Sequence, residues 1–135
     1  MSSIVSRFPV SFRAALGPAD IDGDGRVTIE AVERIFAAAR DAYFADSQSI
    51  DITSTSATLS SLRQSEPFDT VATPVTVAVG VTEIFPESFT MALRIRRHAD
   101  SGAVDARADV TLDGPVTAEI RDECIAREHA ARFTL

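Results

Sequence analysis

Nine consecutive residues, Asp20-Ile21-Asp22-Gly23-Asp24-Gly25-Arg26-Val27-Thr28, gather three carboxylates, two glycines and a hydroxyl in one short loop. Such spacing suits a cation. An EF-hand loop offers oxygens at positions 1, 3, 5, 7 and 9, a glycine at 6 and a bidentate Glu at 12. Counted from Asp20, positions 1, 3 and 5 are Asp, 6 is Gly25 and 9 is Thr28, but 12 is Ala31. Glu30 comes early, and a helix turns about 100° per residue, which aims its carboxylate elsewhere. Gly17-Pro18 and an alternating segment stand where an entering helix belongs. Calcium is therefore the lesser reading of the loop, the bland one being a solvated turn with Asx-type bonds to its own backbone.

The other reactive side chains are sparse. Arg94, Arg96 and Arg97, followed by His98, form the densest basic cluster, suited to phosphate oxygens or to a solvated sheet face. Cys124 is the single cysteine, and nothing near it in the chain is arranged to lower its pKa, so it reads as packed. His98 and His129 lack metal-ligand spacing with each other or with Cys124. No metal site and no cofactor is expected.

The elements that must hold the loop are legible from periodicity. Val5 to Ala14 alternates, with Phe8, Val10 and Phe12 on one side and Arg7, Ser11 and Arg13 on the other, which predicts a strand. Pro9 marks it as an edge or bulge. Directly after the loop, Ile29, Val32, Phe36, Ala39 and Tyr43 recur at helical steps, widened by Ile35, Ala38 and Ala42, and predict a helix over 29–45. Thr28 is its expected N-cap, with Glu30 in the first turn. The Ser/Thr-rich segment 47–61 reads as a polar strand or a loop, and 64–73 as a connection. Three alternating strands follow: Val75 to Thr82, Phe89 to Arg96 and Val104 to Leu112, joined by turns at 85–87 and 100–102. A short helix over 118–131 closes the chain. The expected class is α+β, one antiparallel sheet covered by the long helix, in a single domain spanning 1–135. One helix covers little of such a sheet, so a second copy is expected to finish the core.

The stretch DIDGDGRVTIEAVERIFAAARDAYF, Asp20 to Phe44, resembles the signature of hot-dog-fold thioesterases of the 4-hydroxybenzoyl-CoA thioesterase type. That signature is an Asp-x-Asp-x-x-Gly-His-Val-Asn-Asn-like loop entering a long helix with an Ala-Arg-x-x-Phe-like end. Asp20 and Asp22 match the acidic pair, Gly25 and Val27 the turn, and Ala39-Arg40 with Tyr43-Phe44 the helix end. Arg26 stands where the family has His, and Thr28 and Ile29 stand where it has Asn. The order of elements follows the family's over nearly the whole chain, which implies a hot-dog fold, an antiparallel sheet wrapped around one long central helix.

The resemblance also implies thioester chemistry on an acyl-CoA or an acyl-carrier-protein substrate. Asp22 corresponds to the family's catalytic carboxylate, nucleophile or general base. Glu30, and Glu33 beside it, are substitutes, since related enzymes use a helical Glu. Gly25, Arg26, Val27 and Thr28 would meet the thioester, with amides near 26–29 polarising its carbonyl. Arg94, Arg96 and Arg97 would meet the phosphates of CoA or of a phosphopantetheine arm. The family's habit of pairing sheets implies a homodimer or homotetramer with the site at the seam. An alternative is a hot-dog domain with altered catalysis that binds an acyl ligand or serves as an assembly subunit.

Composition fits these expectations. Apolar residues make up 45% of the chain and charged residues 24%, which excludes a disordered chain. Twenty acidic against thirteen basic residues give a net charge of −7, unfavourable for nucleic acid. No apolar run approaches the roughly 18 residues that a membrane span needs, and the first residues lack a signal peptide's apolar core. With one cysteine, a cytoplasmic setting is expected.

Overall fold

The computed structural model describes residues 2–3, 8–45, 55–65, 74–97 and 103–133. In chain order these form β1 (Ser2–Ser3), β2 (Val10–Ala15), a 3-10 turn (Pro18–Asp20), α1 (Ile29–Tyr43), β3 (Thr55–Gln64), β4 (Pro74–Ile84), β5 (Ser88–Arg97), β6 (Ala103–Leu112) and α2 (Ala118–Phe133). The sheet runs β1-β4-β5-β6-β3, with β2 also paired to β4, and every pairing is antiparallel.

The register explains why one face is dry. Val77 lies opposite Ile95, and Ile95 opposite Val104, so the alternating apolar sets of three strands fall in common rows. Val75, Val77, Val79, Val81, Met91, Leu93, Ile95 and Val104 are all buried. Upon this face lies α1, started by Thr28, whose Oγ1 accepts from the Ala31 amide at 3.2 Å. Its buried stripe is Ala31, Val32, Ile35, Phe36, Ala39 and Tyr43. Phe44 continues that surface, edge-on to Tyr43 and to Phe89.

Four expectations need correction. Ile29 is 54% exposed, because the helix's first residue projects past the sheet into a cleft. Ala38 is exposed too: it lies about 100° from Ala39 around the axis, off the stripe. Of the strand expected over Val5 to Ala14, β2 begins at Val10, since Phe8 takes a positive φ of 53° and Pro9 follows it, and residues 5–7 lie outside the described residues. That twist carries the Phe8 ring away from the Val10–Phe12 side, to lie 5.2 Å from the Arg94 guanidinium. Lastly, α1 does not cover the sheet alone. Ile120, Cys124 and Glu128 of α2, four residues apart, are buried as well.

Glu128 is 3% exposed, and its burial has a cause in the sheet. The β4–β5 register slips between Val81 and Glu83, a bulge. Next to that slip the Val81 amide donates to Glu128 Oε1 at 2.6 Å, and the Tyr43 hydroxyl donates to the same atom at 2.9 Å. One carboxylate thus joins α2, α1 and β4. The Ser/Thr-rich segment is a strand where it is described, as β3. Of the connection expected at 64–73, Gln64 instead ends β3, and 66–73, like residues 46–54 and 98–102 with the expected turn at 100–102, lie outside the described residues.

Candidate functional site

The loop between the 3-10 turn and α1 is held by its own backbone and by the side chains that bond to it. Asp22 N donates to Arg26 O at 2.8 Å, Gly25 N to Asp22 O at 3.1 Å, and Thr28 N to Asp20 O at 2.9 Å. A one-residue bridge joins Ile21 to Val27. Gly25 has φ 79°, a conformation that a side chain would strain. Asp20 fixes the entry: Oδ2 accepts from the Gly17 amide at 2.8 Å, and both oxygens accept from Arg34, at 3.1 and 3.0 Å. The Arg34 hydrogen bonds, then the Gly17 amide, hold the Asp20 carboxyl below its usual 3.8.

Asp22 is exposed, and its Oδ1 accepts from the amides of Asp24 at 2.8 Å and Arg26 at 3.0 Å. That is an Asx-type turn. Oδ2 has no protein partner among the described residues. Opposite the loop, Gln64 at the end of β3 accepts from the Val27 amide through Oε1 at 3.0 Å and reaches Gly25 O through Nε2 at 3.5 Å. Sequence reading missed Gln64, because its partners lie far away in the chain.

These bonds narrow the set of amides open to a ligand. Of the stretch 26–29, Arg26 N is taken by Asp22, Val27 N by Gln64 and Thr28 N by Asp20. The Ala31 amide is capped by Thr28. The amides of Ile29 and Glu30, first in the helix, have no acceptor among the described residues. Beside them opens a cleft of about 450 Å³. Asp22, Arg26, Val27, Thr28 and Glu30 line one side of it, and Leu62 and Gln64 the other. Unclaimed amides at the positive end of a helix, with the carboxylates of Asp22 and Glu30 on the same cleft, can polarise a carbonyl and take up a proton.

Arg94 and Arg96 lie elsewhere. Arg94 is on the outer face of β5, paired with Asp105 at 2.9 Å and beside Phe8, and Arg96 is exposed on the same face. Arg63 and Arg107, which sequence reading passed over, join Arg94 around a second cleft of about 390 Å³. It meets the first only at Leu62. The side chains of Arg97 and His129, and all of His98, lie outside the described residues. A third cleft, of about 460 Å³, runs along α1 from Ile29, with Glu33 on its wall. Among the described residues no three His, Cys, Asp or Glu side chains gather as a metal site. Cys124 is 1% exposed, and burial, reinforced by Glu123 and Glu128, pushes its thiol up to about 12. It is a packing residue.

No family model and no curated protein sequence matches the chain. Solved structures do. A thioesterase of Thermus thermophilus, complexed in its crystal with coenzyme A and zinc, superposes with a TM-score of 0.69 at 20% identity, over 90% of this chain and 96% of that one. A 1,4-dihydroxy-2-naphthoyl-CoA thioesterase from Synechocystis gives 0.61 at 12% identity, over 85% and 94%. A probable thioesterase from Escherichia coli gives 0.61 at 10%, over 87% and 97%. The fold is the hot-dog fold expected above. No described helix is long and apolar enough to cross a membrane.

Proposed function

We propose that this protein hydrolyses acyl thioesters of CoA or of an acyl-carrier protein at the mouth of α1. The observation that carries the reading is the pair of unclaimed amides, Ile29 and Glu30, opening on the same cleft as the carboxylates of Asp22 and Glu30. The thioester carbonyl oxygen accepts from those amides, which strengthens as negative charge gathers on it. Asp22 takes a proton from water as the water oxygen bonds to the carbonyl carbon. The C–S bond then breaks, the proton passes to the departing thiolate, and a carboxylic acid remains. Glu30 is the alternative base. Arg26, Val27 and Thr28 shape the wall, Gly25 makes the turn that presents them, and Arg94, Arg96 and Arg97 offer charge to the phosphates at the far end of the carrier.

Hydrolysis of an acyl-CoA panel tests this. Asp22→Asn keeps an oxygen for the Asp24 and Arg26 amides, so it removes the base and leaves the loop. A fall in kcat/KM of roughly 100-fold or more is expected. Unchanged rates in Asp22→Asn with a fall in Glu30→Gln would move the role to Glu30, and no turnover of any thioester would end the hydrolase reading. One observation favours a second reading, an acyl-binding or assembly domain without turnover: Asp22 Oδ1 is already engaged in holding the loop. Thermal stabilisation by acyl-CoA without hydrolysis would establish it. Under either reading the protein works in the cytoplasm as a homodimer or homotetramer. The exposed Ile29 and Leu62, and the position of β3 at the end of the sheet, support assembly.

A further inference from the structure

We infer that Arg40 reads the far end of the acyl group, and that the preferred acyl chains end in a carboxylate. The inference takes from the proposed function only that an acyl group enters beside Ile29. Ile29 borders both the cleft at the helix mouth and the cleft along α1, so a chain whose carbonyl sits at the first can run on into the second. Phe36, Ala37, Ala57, Leu59 and Ala108 give that second cleft apolar walls. Its residues on α1 extend to Arg40, eleven positions and about 16 Å along the axis from Ile29. Helical side chains lean toward the N-terminus, so the guanidinium of Arg40 is carried back toward the entrance.

Arg40 Nε is buried and has no hydrogen-bond partner. A buried donor left unpaired costs stability, and no group of the described residues offsets that cost here. The other buried Nε without a partner, that of Arg127, has its guanidinium 5.3 Å from the Tyr43 ring and 3.7 Å from Glu123. Among the described residues the Arg40 guanidinium makes no ion pair and no such ring contact. A carboxylate entering the cleft accepts from the terminal nitrogens of Arg40, which, unlike Nε, are not buried. Glu33, on the same wall nearer the entrance, repels an anionic chain end that stops short. The cleft thus has an acid near Ile29 and a cation farther along α1, with apolar walls between, and an ω-carboxyacyl chain matches all three.

The test uses the full chain and two CoA thioethers of equal length, which cannot be hydrolysed: one ends in a carboxylate, the other in a methyl. Calorimetry with wild type is expected to favour the carboxylate by roughly 10- to 100-fold. Arg40→Met should abolish that preference while methyl-ended binding persists. Arg40→Lys, which keeps the charge but not the fork, should lose most of it, and it serves if the Met variant fails to fold. Equal binding of the two thioethers by wild type overturns the inference, as does a preference that survives Arg40→Met. An Arg40→Met protein that changes its sedimentation coefficient with the preference intact would assign Arg40 to a contact between copies, and would overturn it too. Matching thioesters separate the two readings. Turnover without discrimination sinks only the role of Arg40, whereas discrimination without turnover sinks only the hydrolase.

Discussion

At the scale of single residues, the site depends on hydrogen bonds that leave two amides over. Gln64 is the clearest case, since alone among the described residues it ties the loop to β3 through side-chain atoms. Gln64→Leu keeps the bulk and removes both bonds. A loss of about 1–2 kcal/mol is expected, read as a lower urea midpoint with an unchanged slope, together with slower turnover. Asp22 and Thr28 were legible because their bonds are local: an Asx turn and an N-cap reach two to four residues. Gln64 was not, because its bond to Val27 spans 37 residues and no periodicity records it. The Arg cluster was half legible. Alternation put Arg94 and Arg96 on one face of β5, but the turn of Phe8 onto that face, and the arrival of Arg63 and Arg107, depend on strand order.

Among the elements, α1 could be read from sequence because its stripe, cap and length agree, and β4, β5 and β6 because two-residue alternation over a buried face fixes register. The role of α2 could not. Its inward stripe of Ile120 and Cys124 ends on Glu128, and an acidic residue there reads as solvated unless the bulge in β4 is known. Tyr43→Phe tests that junction with almost no change in volume. Removing a hydroxyl that donates to a buried carboxylate should cost about 1.5–3 kcal/mol, measured by denaturant unfolding. The same change should speed proteolysis within α2 if Glu128 is what docks it.

For the molecule as a whole, the shifted groups set a pH window. Asp20 has a folded pKa below 3.8, so its stabilisation is present above that value and is lost as pH falls through it. Cys124 titrates near 12 when folded against 9.0 in the open chain, and Tyr43 is raised as well, by burial first and then by Glu128. For these two groups the unfolded chain releases its proton first, so stability falls as pH climbs from about 9 toward 12. A melting series should therefore show a plateau between these limits. Asp20→Asn is expected to flatten the acid side, and Cys124→Ala part of the alkaline side. The hot-dog arrangement was legible from element order apart from the docking of α2, whereas the three clefts were not, because each is walled by residues brought together from separate elements.

The cross-braced loop at the head of α1 has a thermodynamic corollary. Since its amides are oriented before any ligand arrives, capture freezes few backbone torsions, and the conformational entropy that would otherwise oppose association is already accounted for in folding. Discrimination at that end then rests on shape and charge rather than on moulding around the guest.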